Sequence, residues 1–159
     1  MILEYYMVRP GVHPPSRANP SDAGLDLVYN PSAEDDAVLN VQPGESVLLE
    51  TGYRFAIPHG YMLEIKNRSS WAAKRQLLVG ACVVDSGYDG EVFVNLHNVG
   101  KEPRMVMRGD RIAQGVVIPV VPARFVAAAN PDIYGWSPIT ISDRGTGSLG
   151  STEEPDEKA

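Results

Sequence analysis

The sequence predicts an all-β fold, either a sandwich or a barrel, on two observations. Apolar runs rich in Val, Ile, Tyr and Leu recur along the chain, and each has about the four to eight residues of an ordinary strand. Pro and Gly signals such as "VQPGES", "AIPHGY" and "MRGDR" separate these runs. Short strands between closely spaced turns are typical of β-sandwiches and β-barrels.

Two segments show the strand pattern most clearly. "YMLEIKN" alternates apolar and polar residues with period two, and "VFVNLHN" presents Val92, Val94 and Leu96 on one face. Both are predicted to be half-buried strands. One short helix of two or three turns is predicted in "SSWAAKRQLL", where Ser69 or Ser70 can cap the N-terminus ahead of good helix formers.

The pattern weakens from about Pro122 onward. The segment "DRGTGSLGSTEEPDEKA" combines glycines, small polar residues and acidic charge, with almost nothing to bury. We therefore expect a β-barrel or sandwich domain over residues 1–142. Residues 143–159 are expected to form a flexible Gly-rich arm and an acidic tail.

The size and charge of the chain limit what it can be. Its 159 residues, 43% of them hydrophobic, are enough to bury one core, so we expect one main domain. The formal net charge of −6 gives the surface no general attraction for the phosphates of nucleic acids or membranes. Neither is therefore expected as a partner.

Cysteine usage and the N-terminus bear on location. Cys82 is the only cysteine, which excludes an intramolecular disulfide and a Cys-rich zinc site. "MILEYYMVRP" lacks a basic segment followed by an apolar run, and no stretch approaches the ~20 apolar residues of a membrane span. A cytoplasmic protein, neither secreted nor embedded in a membrane, is expected.

Two segments offer anion-binding groups. In "NRSSWAAK" the amides of the predicted helix start, the Arg68 guanidinium and the Ser69 and Ser70 hydroxyls could hold a phosphate. A capped helix beside an exposed arginine explains the same residues. In "RGTGSLGST", Arg144 and the glycine amides could close over phosphates, whereas the plainer interpretation is a solvated linker.

Two aspartates stand at strand positions. Asp85 in "VVDSGYDGEV" follows two valines and precedes a turn, so it either starts that turn or serves as a base. Asp26 in "SDAGLDLVYN" lies on the face opposite Leu25 and Leu27, where a solvent-facing side chain is the plainer interpretation.

The segment "MRGDRIAQGVV" favours a turn followed by a strand. Gly109 and Asp110 suit the turn, and Arg111 is expected to pair with Asp110 or Glu91. Gln114 is different, because it places an amide where an apolar residue would serve packing.

Taken together, five segments resemble the motifs of a known family. In chain order, "AGLDL", "RSSWAAK", "VVDSGYDGEV", "GDRIAQ" and "RGTGSLGST" resemble the five motifs of the trimeric dUTP diphosphatases (dUTPases), over about residues 21–152. The resemblance implies a jelly-roll-like dUTPase β-barrel with a mobile C-terminal arm. It also implies a homotrimer in which each active site draws segments from all three chains.

The resemblance further implies an activity and a role for each motif. The reaction is hydrolysis of dUTP to dUMP and pyrophosphate, which keeps uracil out of DNA and supplies dUMP for thymidylate synthesis. Asp85 matches the catalytic aspartate that activates the attacking water, and Tyr88 matches the aromatic residue that packs under the sugar and excludes a 2′-hydroxyl. The strands around the turn, residues 79–84 and 91–95, match a hairpin that reads uracil through its backbone, with Ala81 and Val84 among the substrate-binding residues.

Other motif residues match phosphate, metal and lid positions. Asp26 matches a residue near the hydration shell of Mg²⁺, the expected cofactor, which would be held mainly by the triphosphate and water. The arm residues Leu149 and Gly150 match substrate-binding positions of the lid. The phosphate contacts match Arg68, Ser69, Ser70, Gln114 and Arg144.

Four residues depart from the family pattern. Leu149 stands where a phenylalanine usually covers the uracil ring, and Ser148 replaces a usual glycine. A leucine covers the base without stacking, so a weaker lid is expected. Gly87 replaces an acidic residue of the turn, and Cys82 stands where a glycine is common near the base.

Two other functions stay open. The "DSGYDGEV" turn also resembles that of the dCTP deaminases, which share this fold. Those enzymes need a glutamate in the following strand, whereas Asn95 stands here and an amide cannot act as an acid or base. The chain could also be a nucleotide-gated regulatory protein on a dUTPase scaffold, with an unknown protein partner.

Overall fold

The structure, a computed structural model, describes residues 1–131, 133 and 134, and confirms the all-β prediction. Every paired strand is antiparallel to its neighbours. In chain order, the strands of the described residues are β1 (Glu4–Met7), β2 (Leu25–Val28), β3 (Val38–Val41), β4 (Ser46–Glu50), β5 (Tyr53–Ala56), β6 (Tyr61–Lys66), β7 (Leu77–Val79), β8 (Val83–Asp85), β9 (Phe93–Asn98), β10 (Arg104–Met107) and β11 (Arg111–Pro119).

The strands form four small sheets rather than one meander. The largest has the order β2-β11-β6-β8, and a three-stranded sheet has the order β4-β9-β7. Two further pairs are β1 with β5 and β10 with β3. Since most neighbours are distant in sequence, the chain crosses repeatedly between sheets, as in jelly rolls and Greek-key barrels.

The predicted alternation is present in both strands. In β6, Leu63 and Ile65 are buried, and in and before β9, Val92, Val94 and Leu96 are buried. These side chains join one continuous apolar core, and burying each contributes about 1.5–3 kcal/mol. The rest of the core consists mainly of Leu27, Tyr29, Val41, Leu49, Tyr53, Phe55, Trp71, Leu77, Val106 and Ile112.

The predicted short helix is present. Residues 69–75 are helical, with Trp71–Arg75 forming a π-helical turn, and Gln76 ends it in the left-handed conformation with φ of 57°. Trp71 is buried, and the Arg75 guanidinium lies 4.4 Å from the centroid of its ring. A short 3₁₀ helix, Asp35–Ala37, was not predicted. Core burial of Trp71 thus fixes the segment that follows Arg68.

The compact unit of the described chain is Met1–Pro122. In the following unit, residues 123–131, 133 and 134 are exposed and contain neither strand nor helix. The predicted boundary between residues 142 and 143 lies outside the described residues. In the part of the chain that the structure describes, no helix is long and apolar enough to cross a membrane.

Candidate active site

Asp85 is the last residue of β8 and opens a tight turn. The Tyr88 amide donates to the Asp85 carbonyl at 3.2 Å, and Gly87 has φ of +88°, a conformation that a side chain disfavours. The glycine that departs from the family pattern therefore suits this turn. The Asp85 side chain is exposed and makes no hydrogen bond or ion pair with the described residues.

A pocket of about 280 Å³ opens between β8 and the start of β9. Asp85 and Tyr88 lie at its rim. The pocket brings together four of the predicted site residues with neighbours that were not predicted. Its lining consists of Leu48, Ile65, Ala81, Cys82, Val83, Val84, Asp85, Tyr88, Glu91, Val92 and Phe93.

The predicted hairpin around the turn is paired at its base but not next to the turn. Val79 pairs with Leu96, and the Gly80 amide donates to the Asn95 carbonyl at 2.9 Å. β8 pairs with β6, whereas β9 pairs with β4 and β7, so the two strands belong to different sheets. They diverge after the turn because each finds its partner elsewhere, and the gap between them is the pocket. As an edge strand, β8 leaves one backbone side without a strand partner.

The ladder shows which backbone groups of β8 face that open side. The Ile65 amide donates to the Cys82 carbonyl at 2.7 Å. Hydrogen-bonded pairs alternate in an antiparallel ladder, so the backbone of Val84, opposite Leu63, points toward β6 and that of Val83 points away. The backbone N–H and C=O of Val83, rather than those of Val84, are therefore the groups of β8 that are available to a bound base. Val84 still lines the pocket.

Asn95 is fully engaged beside the pocket. Its side-chain oxygen accepts from the Ala81 amide at 3.4 Å and lies 2.8 Å from the His97 Nε2. Its amide nitrogen donates to the Ser46 hydroxyl at 2.9 Å. Asn95 thus serves as a structural bridge between β9 and the segment leading into β8.

A second cluster surrounds Asp26 on β2. The Arg68 Nε lies 2.8 Å from one Asp26 oxygen, and the Arg111 Nη1 lies 3.5 Å from the other. The side chain of Asp26 is 14% exposed, so the solvent-facing interpretation is wrong. The expected pairing of Arg111 with Asp110 or Glu91 is also wrong, because β11 lies beside β2 and brings Arg111 to Asp26.

Gln114 completes this cluster from β11. Its amide nitrogen donates to the Asn67 carbonyl at 2.8 Å, immediately before Arg68. A Cβ atom on the buried Gly24 would lie 2.1 Å from the Gln114 Oε1. The glycine of "AGLDL" therefore makes room for the amide of "GDRIAQ".

Ser69 and Ser70 are exposed at the start of the helical turn. Ser70 occupies the N-cap position but makes no side-chain capping bond, so the predicted cap is wrong. The amides of Trp71 and Ala72 both donate to the Arg68 carbonyl at 3.0 Å and are not free for an anion. The side-chain hydroxyls and Arg68 remain the donors here.

Asp85 and the Asp26 cluster lie toward opposite ends of β6, and the pocket extends from Asp85 along β8 to Cys82 and to Ile65 of β6. Asp85 pairs in register with Met62, whereas Gln114 pairs with Lys66. Four residues of a strand separate these positions, roughly 13 Å. The described part of one chain therefore does not bring Asp85 and Arg68 into one pocket. Arg144, Leu149 and Gly150 lie outside the described residues.

Sequence reasoning missed Leu48 at the pocket, and it gave no side-chain role to Val83 and Phe93, which lie within the predicted ranges 79–84 and 91–95. Leu48, Val83 and Phe93 are 64%, 57% and 37% exposed and lie on the wall or rim. One signal was available: Phe93 alternates with Val92 and Val94, so it faces away from the core those residues build.

The fold matches known structures. A mutant dUTPase of Staphylococcus bacteriophage 80alpha, solved with dUpNHpp, gives a TM-score of 0.74 at 22% identity, covering 94% of this chain and 97% of that one. A mutant dUTPase from phage phi11 of S. aureus gives 0.72 at 20% identity, covering 82% and 98%. These likenesses confirm the jelly-roll-like β-barrel.

The sequence matches curated relatives more closely. The deoxyuridine 5'-triphosphate nucleotidohydrolase of Gloeobacter violaceus is 40% identical over 140 residues, 87% of each chain. That of Anaplasma marginale is 38% identical over 148 residues, 89% of this chain and 90% of the relative. The family model described as dUTPase matches residues 11–152. With the five motifs in order on this barrel, the chain belongs to the dUTPase family.

Proposed function

We propose that the protein hydrolyses dUTP to dUMP and pyrophosphate at sites built from the turn pocket and the Asp26 cluster. One observation carries the proposal. A carboxylate without a described partner, Asp85, lies at the rim of a concave pocket, next to an aromatic ring and an open backbone edge. This is the arrangement that an attacking water beside a bound nucleotide needs.

Asp85 acts as the general base. Its carboxylate accepts a proton from a water whose oxygen attacks the α-phosphorus of dUTP. A new phosphorus–oxygen bond forms, the bond from the α-phosphorus to the bridging oxygen breaks, and pyrophosphate leaves with the bonding electrons. Positioned proton acceptors contribute about 10²–10⁴-fold to such reactions.

The pocket selects the nucleoside. Backbone groups at Ala81 and Val83 present fixed donors and acceptors that suit uracil and oppose cytosine, because a mismatched buried group costs about 1–3 kcal/mol. Tyr88 packs under the sugar and leaves no room for a 2′-hydroxyl. Val84 and Cys82 shape the floor of the pocket.

The Asp26 cluster serves the triphosphate. Arg68, with the exposed hydroxyls of Ser69 and Ser70 and the amide of Gln114, donates to phosphate oxygens. Among the described residues, no group of three or more His, Cys, Asp or Glu side chains could hold a metal ion, which supports an Mg²⁺ held mainly by phosphates and water with Asp26 nearby. When bound, Mg²⁺ neutralises charge on the triphosphate.

A homotrimer completes each site. One chain separates its Asp85 from its Asp26 cluster along β6, so the proposed site pairs Asp85 with the cluster of a neighbouring chain. The arm with Arg144, Leu149 and Gly150 closes over the site from the third chain. Light scattering should report a trimer; a monomer that is fully active at the same concentration would contradict this assembly.

The activity is tested by pyrophosphate release from dUTP, dCTP, dTTP and UTP under matched conditions. We expect release from dUTP only, with Mg²⁺ present. Ammonia release is measured in the same samples with dCTP and dUTP. Ammonia without pyrophosphate would favour the deaminase alternative and overturn this proposal.

A truncated chain tests the arm. Removing residues 143–159 should abolish most turnover and leave the trimer intact, because a lid covers a site without supporting the core. Size-exclusion chromatography with light scattering checks assembly, and pyrophosphate release checks turnover. Full activity of the truncated chain would exclude the arm from catalysis.

A further inference from the structure

Glu91, just past the catalytic turn, is held by a distant arginine. The Arg9 Nη1 lies 2.9 Å from the Glu91 Oε2, and the Arg9 Nη2 donates to the Glu91 Oε1 at 3.2 Å. The Gly52 amide donates to the same Oε1 at 2.8 Å. Arg9 and Glu91 are 82 residues apart in sequence and meet in a two-pronged geometry.

The same residue holds Tyr88 through its backbone. The Tyr88 hydroxyl donates to the Glu91 carbonyl at 2.9 Å. Between them, a Cβ atom on Gly90 would lie 2.3 Å from the Tyr88 hydroxyl oxygen. The ring of Tyr88 therefore folds over Gly90, and the position of Glu91 determines where its hydroxyl is held.

The Arg9–Glu91 pair is shielded from solvent, whereas Tyr88 is exposed. The side chains of Arg9 and Glu91 are 22% and 16% exposed, and Tyr88 is 47% exposed. Core packing thus does little to hold the ring, and the hydrogen bond to Glu91 is its one described anchor. Partly buried charge-assisted pairs hold their geometry better than surface pairs.

We propose that Arg9 and Glu91 form a positioning pair that fixes Tyr88 and thereby sets the preference for deoxyribose over ribose. The inference rests on the proposed function. The Glu91 carboxylate is occupied by Arg9 and the Gly52 amide, so the pair acts through the backbone of Glu91 on the Tyr88 ring. When the pair is broken, the ring gains freedom to move aside and admits a 2′-hydroxyl.

Glu50 supplies a matched control. Its Oε2 lies 3.2 Å from the same guanidinium, yet Glu50 lies on β4 and contacts Ser32 rather than the turn. A structural role for the charge network predicts similar losses from Glu50→Gln and Glu91→Gln. A positioning role predicts that only Glu91→Gln changes nucleotide selectivity.

The experiment measures kcat and KM of full-length trimers for dUTP and UTP. For Glu91→Gln and Arg9→Gln, we expect the ratio of kcat/KM for dUTP over UTP to fall about three- to tenfold. This fall is smaller than the ~100-fold loss that displacement of a reacting group by about 1 Å can cause. For Arg9→Gln, which lies outside the pocket lining, kcat for dUTP should change little, since Asp85 is retained. The double variant should lose no more selectivity than either single variant. Glu50→Gln should keep the parental ratio.

Thermal melts of all variants separate folding from selectivity. A parental ratio in Glu91→Gln, or an equal fall in Glu50→Gln, would overturn the positioning role. If Glu91→Gln does not fold, Arg9→Gln carries the test by the same ratio. Absence of dUTP hydrolysis by the parent protein would instead reject the proposed function, so the two failures are distinguishable.

Discussion

The two ends of β6 carry regions built on different principles. Asp85, opposite Met62, lies at the edge of the open turn pocket, which is lined largely by apolar side chains and reaches Ile65, and the Asp85 carboxylate has no partner among the described residues. At the Lys66 end, the Asp26 cluster is closed on itself, with Arg68 and Arg111 both on one carboxylate. Under the proposed function, the nucleoside would enter a preformed pocket, whereas the triphosphate would replace contacts that the Asp26 cluster makes internally.

This difference follows from the groups that each region must hold. A uracil base offers neutral donors and acceptors, which a rigid backbone edge matches without rearrangement. A triphosphate carries concentrated negative charge, so it needs cationic partners. A partly buried guanidinium without a partner raises the free energy of the folded state. Asp26 orients Arg68 in the described chain, and under the proposed function phosphate oxygens would share that guanidinium.

The largest expected effect comes from the carboxylate of the open region. Asp85→Asn should lower kcat by about 10²-fold or more while the fold and the affinity for a non-hydrolysable dUTP analogue stay nearly unchanged, because only the proton acceptor is lost. Asp89→Asn in the same turn is the control and should stay within a few-fold of the parent. Pyrophosphate release under single-turnover conditions measures both, and near-parental turnover of Asp85→Asn would remove Asp85 from catalysis.

A second variant tests the closed region. Arg68→Gln should raise KM for dUTP by about tenfold to hundredfold, since a hydrogen bond to a charged group contributes about 1.5–3 kcal/mol. Arg111→Gln also removes a cation from Asp26 and should change KM only a few-fold, because its side chain is 52% exposed and its contact is longer. Equal effects of the two variants would show that the cluster acts through net charge and not through aimed donors.

The strand that carries Asp26 should depend on a buried tyrosine. The Val28 amide of β2 donates to the Tyr53 hydroxyl at 2.7 Å. Tyr53→Phe leaves that amide unsatisfied, so we expect the free energy of unfolding to fall by about 1–3 kcal/mol. Urea unfolding at neutral pH measures it; Tyr6→Phe, at an exposed position, should be nearly neutral.

The same tyrosine predicts a pH dependence. Burial raises the pKa of Tyr53 to about 12, and burial with nearby Asp36 and Glu50 raises the pKa of Tyr29 to about 12. Between about pH 10, the ordinary value for tyrosine, and pH 12, the unfolded chain has lost protons that the folded chain retains, so stability falls as pH rises. Urea unfolding at a series of pH values across this window should show the fall, and Tyr53→Phe should make it shallower. An unchanged slope in the variant would contradict the assignment to Tyr53.

The smallest effect is expected at the lid of the open region. Leu149→Phe should tighten binding of a non-hydrolysable dUTP analogue by about two- to tenfold, the equivalent of the ~0.5–1.5 kcal/mol of an aromatic pair. Isothermal titration measures it, with Ser148→Gly as a control that adds no ring. Weaker or unchanged binding would mean that Leu149 does not cover the base.

Local patterns predicted the strands and the ordered motifs, because alternation and turn residues act over a few neighbours. Leu63 and Ile65 are buried where period two placed them. Strand pairing depends on residues that are distant in sequence. The turn after Asp85 was predicted to lie within a hairpin, whereas β8 pairs with β6, and β9 pairs with β4 and β7. That divergence creates the pocket.

Charge pairing was equally hidden from the sequence. Arg111 was assigned to Asp110 or Glu91, the nearest plausible acids, whereas the order β2-β11 brings it to Asp26. Glu91 instead meets Arg9, 82 residues away. A long arginine side chain could pair with any of several acidic residues, and the order of the strands decides which of them lies within reach.

The close approach of Gly24 to Gln114 constrains how this barrel can change over time. A methyl group at position 24 would lie 2.1 Å from the Gln114 Oε1 and 3.0 Å from its Cβ, so Gly24→Ala must displace the side chain from its base upward. A smaller residue at position 114 removes the clash with the amide and leaves only the tight 3.0 Å approach of its Cβ. The two sites are therefore epistatic, and alanine at position 24 is better tolerated after position 114 has lost its amide.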